Sequence, residues 1–152
     1  MADQIEELTR EMLAVLPLLN GIVAAEVRRD AGEATTMPQF RVLSALAEEP
    51  LTLSVLAKQR RVSLQSMSEM VQALVERGWI ERTPDPNDRR QSLLHITEHG
   101  RKHFERAQLQ TLQRLMPLIA DLDDAEQAAL SKALPALRRV LAFEESKELH
   151  GR

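Results

Sequence analysis

The change of hydrophobic period at Gly78 constrains the fold of this chain more than any other feature. Upstream, Met67, Met70, Val71 and Leu74 recur at helical spacing, so one side of a helix is apolar and turned inward. Downstream, Trp79, Ile80, Glu81 and Arg82 have strand character, Pro84-Asp85-Pro86-Asn87 interrupts it, and Ser92 to Ile96 runs extended again. Pro84 and Pro86 have no amide hydrogen to give a ladder, which places both in the loop between the strands. Ser63 is suited to cap the helix, with Val62 and Met67 at the spacing of a hydrophobic staple. Gly78 supplies the left-handed residue that ends it. Helix, strand, basic loop and strand in that order make the winged form of a helix-turn-helix unit.

The outer face of that helix carries Gln65, Ser66, Ser68, Glu69 and Gln72, short or amide side chains of the kind that hydrogen-bond base edges in a major groove. The plain alternative for each is a solvated face. The wing context favours the first reading.

Further helices flank this unit. From Asp3 to about Asp30 the positions Ile5, Leu8, Met12, Val15, Leu16, Leu19, Ile22 and Val23 keep a helical stripe, which Pro17 is expected to kink or restart. The Gly32 region and Thr35-Thr36 make a break. Pro38 then opens a second helix holding Phe40, Val42, Leu43, Leu46 and Ala47, which ends at Glu48-Glu49-Pro50. Leu51 to Leu53 suits a short strand pairing with the wing, and Thr52 suits the cap of a third helix. That helix packs Val55, Leu56 and Ala57 inward and closes on Lys58, Gln59, Arg60 and Arg61. After the wing, Thr97 caps a long helix bent near Pro117. Asp123 and Glu126 have capping-box spacing for the last helix, bent at Pro135. The terminal helices are too long for one small domain to cover. Their apolar stripes predict a dimer in which helices from both ends of two copies interlock; the alternative is that they fold back on their own chain.

Composition sets limits on function. A chain of 152 residues, 43% hydrophobic and 28% charged, is one globular domain's worth. It has no cysteine, which excludes disulfides and thiolate chemistry. No run of about eighteen apolar residues is found, so no membrane span is expected. The acidic N-terminus lacks the pattern of a signal peptide, and a cytoplasmic location follows as the expectation. Net charge is −3, but unevenly spread: Thr52 to His103 holds nine Lys/Arg against six Asp/Glu (+3), the remainder eleven against seventeen (−6). A basic middle third between acidic ends suits a nucleic-acid face, because screening limits the reach of the ends to roughly 8 Å.

Asp88-Arg89-Arg90-Gln91-Ser92-Leu93-Leu94-His95-Ile96-Thr97 resembles the wing signature of the MarR (multiple antibiotic resistance regulator) family, D-x-R, five residues, L-T, with Ile96 in place of leucine. Asp85-Pro86 and Gly78-Trp79 add to the match. The likeness runs from about Pro38 to Gly100, and the order of flanking helices extends it over nearly the whole chain. It implies a mainly α fold: a winged helix-turn-helix core over about 34–97, a small β-hairpin wing, and dimerisation helices over about 1–33 and 98–152. It also implies a homodimeric transcriptional regulator, a repressor on a pseudo-palindromic operator in double-stranded DNA. The helix from Ser63 to Arg77 would enter the major groove, and the wing the minor groove.

In that arrangement Ser63, Gln65, Ser66, Ser68, Glu69 and Gln72 face the duplex, Arg89 and Arg90 sit at the wing, and Lys58, Arg60 and Arg61 meet phosphates. Asp88 is a strut, because a carboxylate facing phosphates repels them while one paired to a wing arginine braces it. Two positions depart from the family. Arg61 stands where a glycine is common, and Glu69 where an arginine is common, so that Glu69 either reads a different base or pairs with a basic neighbour. The resemblance further implies release by a small aromatic or phenolic acid, with Arg41 as a candidate partner for its carboxylate and a surface salt bridge as that residue's other fate. No cofactor is expected.

His95, His99 and His103, with Glu98 or Glu105, form a candidate metal set. Solvated histidines at the start of an exposed helix are the simpler reading, and no metal is expected. No catalytic motif stands out, so no enzyme is expected. The competing function is a winged-helix dimer that has lost DNA binding, motivated by Glu69, Arg61 and the acidic net charge.

Overall fold

A computed structural model describes residues 1–29 and 35–150, with side chains through Lys147; the expected break at Gly32 lies outside the described residues. In chain order the elements are α1 (Ala2–Arg29), α2 (Met37–Glu48), β1 (Leu51–Thr52), α3 (Leu53–Arg60), α4 (Leu64–Glu76), β2 (Ile80–Pro84), β3 (Ser92–Ile96), α5 (Glu98–Ala120) and α6 (Asp124–His150).

Short polar side chains set the helix starts. Thr52, Ser63 and Thr97 accept from the backbone amides of Val55, Ser66 and Gly100, satisfying donors that the first turn leaves unpaired. Asp123 and Glu126 close a reciprocal capping box at 2.8 and 2.9 Å, and Thr36 with Gln39 closes another at α2. Pro38 sits in the first turn of α2, where its missing amide costs nothing. Pro17, Pro117 and Pro135 lie inside continuous helices, so Pro17 does not restart α1 as expected.

The sheet is antiparallel with order β1-β3-β2, and Leu51 and Thr52 pair with Leu94 and Leu93. Two expectations are corrected here. Pro84 ends β2 opposite Ser92 rather than lying in the loop, tolerated because β2 is an edge strand. Trp79 belongs to no strand; its amide donates to Leu74 O at 3.0 Å while that of Gly78 (φ 70) donates to Val75 O at 2.9 Å, the paired bonds that finish a helix.

The core gathers Val42, Leu43 and Leu46 of α2, Leu56 of α3, Met67, Val71 and Leu74 of α4, with Trp79, Ile80, Leu94 and Phe104. Each such burial stabilises the fold by about 1.5–3 kcal/mol before entropy is counted. Gly100 lets α5 lie directly on the chain at Trp79: a Cβ there would stand 2.2 Å from the Trp79 carbonyl oxygen.

The terminal helices behave differently. α1 packs on α5, yet Ile5, Leu8 and Leu13 stay exposed, and every described side chain of α6 except that of Ala136 is exposed. The chain exposes 11084 Å², against roughly 7,800 Å² for a compact monomer of its mass. Packing within one chain therefore leaves the apolar stripes of α1, α5 and α6 uncovered. The expectation of no membrane-length helix is also corrected: by length and hydropathy α1 is long and apolar enough to cross one, because Met12 to Ala25 carries no charge. A helix whose stripe is buried against another subunit has the same composition.

Candidate nucleic-acid interface

Helices α3 and α4 end in exits of the same design. At α4 the left-handed residue is Gly78; at α3 it is Arg61, with φ 54 and ψ 44. The amide of Arg61 donates to Lys58 O at 3.2 Å and that of Val62 to Ala57 O at 3.1 Å. Arg61 thus takes up the conformation a glycine would adopt, so its presence does not alter the turn. The left-handed conformation costs a side-chain-bearing residue roughly 1–2 kcal/mol. It leaves an exposed cation at the C-terminal end of α3, where the helix dipole favours positive charge.

On α4, Met67, Val71 and Leu74 are fully buried. At roughly 100° per residue, Gln65, Glu69, Gln72 and Glu76 fall on the opposite side within about 60° of one another. These four are exposed and Ser68 is half-buried. Glu69 accepts from the Gln65 side-chain amide at 3.4 Å, and Glu76 from that of Gln72 at 3.2 Å. Of the two fates expected for Glu69, pairing with a basic neighbour is not the one observed; its partner is an amide. Ser63 and Ser66 serve the helix start, joined hydroxyl to hydroxyl at 3.0 Å.

The wing loop is built around two carboxylates. Asp85, 6% exposed, accepts from the amide of Asn87 at 2.9 Å, while its own amide donates to Gln91 O at 3.1 Å. Asp88 Oδ1 accepts from the Arg90 amide at 3.0 Å and from Arg90 Nε at 3.2 Å. Asp88 therefore holds Arg90 as a strut would, while the arginine side chain stays 91% exposed. Arg89 is exposed beside it.

Wing and helix share a concave surface. A groove of about 350 Å³ is lined by Ser54, Leu64 and Ser68 on one side and Arg82, Arg90 and Ser92 on the other. A second hollow on α4 brings Glu69, Gln72 and Glu76 together with Arg82. Arg82 lines both, and the sequence reading missed it as a site residue. The signal was strand alternation: Arg82 lies two residues beyond buried Ile80, hence on the sheet face turned toward α4. Lys58 and Arg61 are exposed on the turn side, and Arg60 is half-buried. Arg41, on α2, is exposed, and no ion pair at it is seen among the described residues.

The histidines are used separately. His95 and Thr83 are bonded at 2.8 Å on the far face of the wing. His103, expected to be solvated, is 4% exposed; it stacks on Trp79 at 3.9 Å between centroids and bonds Thr35 Oγ1 at 2.8 Å. His99 meets Trp79 edge-on at 6.5 Å. Among the described residues no group of three or more His, Asp and Glu is arranged to hold a metal ion. Nearby, Lys102 holds the Glu98 carboxyl below its ordinary range by a side-chain hydrogen bond and by charge, and its own ammonium is raised in return. Both groups are fully exposed and stand outside the groove.

Known proteins share this fold. The sequence profile of the MarR family matches residues 35–91. An uncharacterised HTH-type transcriptional regulator of Mycobacterium leprae is 33% identical over 101 residues, covering 63% of this chain and 71% of that protein. The crystal structure of Rv1404 from Mycobacterium tuberculosis superposes with a TM-score of 0.80 at 28% identity, covering 91% of this chain and 94% of that one. A mutant MarR from Escherichia coli complexed with operator DNA superposes at 0.64 with 28% identity, covering 88% of this chain and 95% of that one. With the braced wing, the α3-turn-α4 unit and these likenesses together, the chain belongs to the MarR family.

Proposed function

We propose that this protein is a homodimeric transcriptional regulator that binds pseudo-palindromic double-stranded DNA and represses from it, acting in the cytoplasm and not as an enzyme. The observation that carries the reading is the shared groove in which Arg90, braced by Asp88, and Arg82 face Ser68 across the start of α4. A helix with a polar outer face beside a loop presenting exposed arginine side chains matches a major groove and the minor groove next to it. Residues of about 34–97 form the reading head, with Lys58, Arg60 and Arg61 on phosphates; about 1–33 and 98–152 form the dimer body. Support for the dimer is the roughly 3,300 Å² by which each chain's surface exceeds that of a compact monomer, more than enough to supply the roughly 2,000–5,000 Å² that two partners of an obligate homodimer bury in total. Twofold symmetry then sets half-sites about one helical turn apart.

Release by a small aromatic or phenolic acid belongs to the same proposal. Such a ligand must bind more tightly to a half-site spacing that does not fit DNA.

A second reading, a winged-helix dimer without DNA binding, is favoured by one observation: the outermost stripe of α4 carries Glu69 and Glu76 and no cation. Gel shifts of a random duplex pool at low and high salt separate the two. Binding that weakens steeply with salt and enriches a palindrome supports the regulator; no binding at low salt refutes it. Adding aromatic carboxylic acids to the selected complex tests release.

A further inference from the structure

The line of α4 opposite the core carries two amide–carboxylate pairs and no cation. Gln65, Glu69, Gln72 and Glu76 run along it for roughly 16 Å, directly opposite the buried Met67, Val71 and Leu74. Each glutamine amide is turned back onto the glutamate one turn later. One donor of each amide is engaged within the helix, and the carboxylates of Glu69 and Glu76 keep most of their capacity to accept. In the major groove such a surface complements the amino groups, cytosine N4 and adenine N6, and is repelled by the acceptors of guanine and thymine. The cations that attract the backbone lie to either side, at Lys58 and Arg61 on the turn and at Arg82, Arg89 and Arg90 on the wing.

Base edges are read mainly from the first turns of such a helix. Glu69 lies in the second turn, whereas Glu76 is its last residue. The Gln65 amide holds one Glu69 oxygen and leaves the rest of the carboxylate to accept from a base.

We propose that Glu69, oriented by Gln65, is a specificity-determining residue that selects a C·G pair in each half-site by accepting a hydrogen bond from cytosine N4. This rests on the DNA-binding reading above and deepens it. Because Glu69 is exposed and outside the core, its replacement leaves the fold intact, and thermal melting of each variant checks this.

The test uses the full-length protein and a pool of random duplex. Wild type should select a palindrome with a fixed cytosine in each half, and exchanging that C·G pair for T·A should weaken binding roughly ten- to a hundredfold. Glu69→Gln should move the preference at that position to adenine, and Glu69→Arg to guanine, with the other positions unchanged. If wild type selects a palindrome and both variants select the same one, the role of Glu69 is refuted while DNA reading stands. If wild type selects no sequence at all, both fall.

Discussion

Replacing Gly100 with alanine should unseat the reading head from the dimer body. The added Cβ would stand 2.2 Å from the Trp79 carbonyl oxygen and 2.9 Å from two further backbone atoms of that residue. Ordinary contact needs more than 3 Å, and neither partner is a flexible side chain, so α5 must back away by about 1 Å or more. The Thr97 amide, which donates to that same carbonyl at 2.9 Å, would then lie outside hydrogen-bond range, and the stack of His103 on Trp79 would open. An acceptor left without its donor costs about 1–3 kcal/mol, and forcing volume into a packed contact about 1–3 kcal/mol more. A total near 4 kcal/mol is a large share of the 5–15 kcal/mol that typically holds a domain together. For a chain of this length it lowers the melting temperature by roughly 8–16 °C, read by circular dichroism at one fixed protein concentration. Gly78→Ala is the internal comparison: its φ is +70 but nothing lies within 4 Å of the added carbon, so only the left-handed penalty of about 1–2 kcal/mol applies. Should Gly100→Ala melt within about 2 °C of wild type, or above Gly78→Ala, the close approach inferred between α5 and Trp79 is wrong.

Arg90→Ala should leave melting unchanged, since the side chain is 91% exposed, while operator affinity falls by about 1–3 kcal/mol and the salt slope by about one unit; unchanged affinity in anisotropy titrations would reject the wing assignment. At position 61 the glycine variant should melt above the alanine variant, by about 1 kcal/mol, because both lack the side chain and differ in tolerance of φ 54. Equal melting would show that the turn rearranges. Deleting residues 1–29 should yield a monomer in sedimentation velocity that binds operator poorly, whereas a truncated protein that remains dimeric contradicts the role given to α1.

Much of this architecture was legible from residues near one another along the chain. Ser63, Thr52, Thr97 and Asp123 mark helix starts because a cap bonds an amide three positions on; Gly78 marks a helix end because its own backbone is the requirement. Asp88 and Arg90 are two apart, so the strut was readable, and with it the wing. Arg61 was recognised as standing in a glycine's place, but its left-handed backbone was not evident from a residue type that normally avoids it.

What the tertiary structure alone decided involves partners distant in sequence. His103 reads as one turn-spaced exposed histidine with His99; it stacks on Trp79 because α5 crosses the exit of α4, and it bonds Thr35, 68 positions away, because α5 also packs on α2. Gly100 carries no local signal, since the atom that forbids a side chain there belongs to Trp79. Arg82 joins the groove through the packing of β2 beneath α4. Hydrogen bonds within a turn are written into neighbouring residue types, whereas the closeness of two segments is set by the shape of everything packed between them.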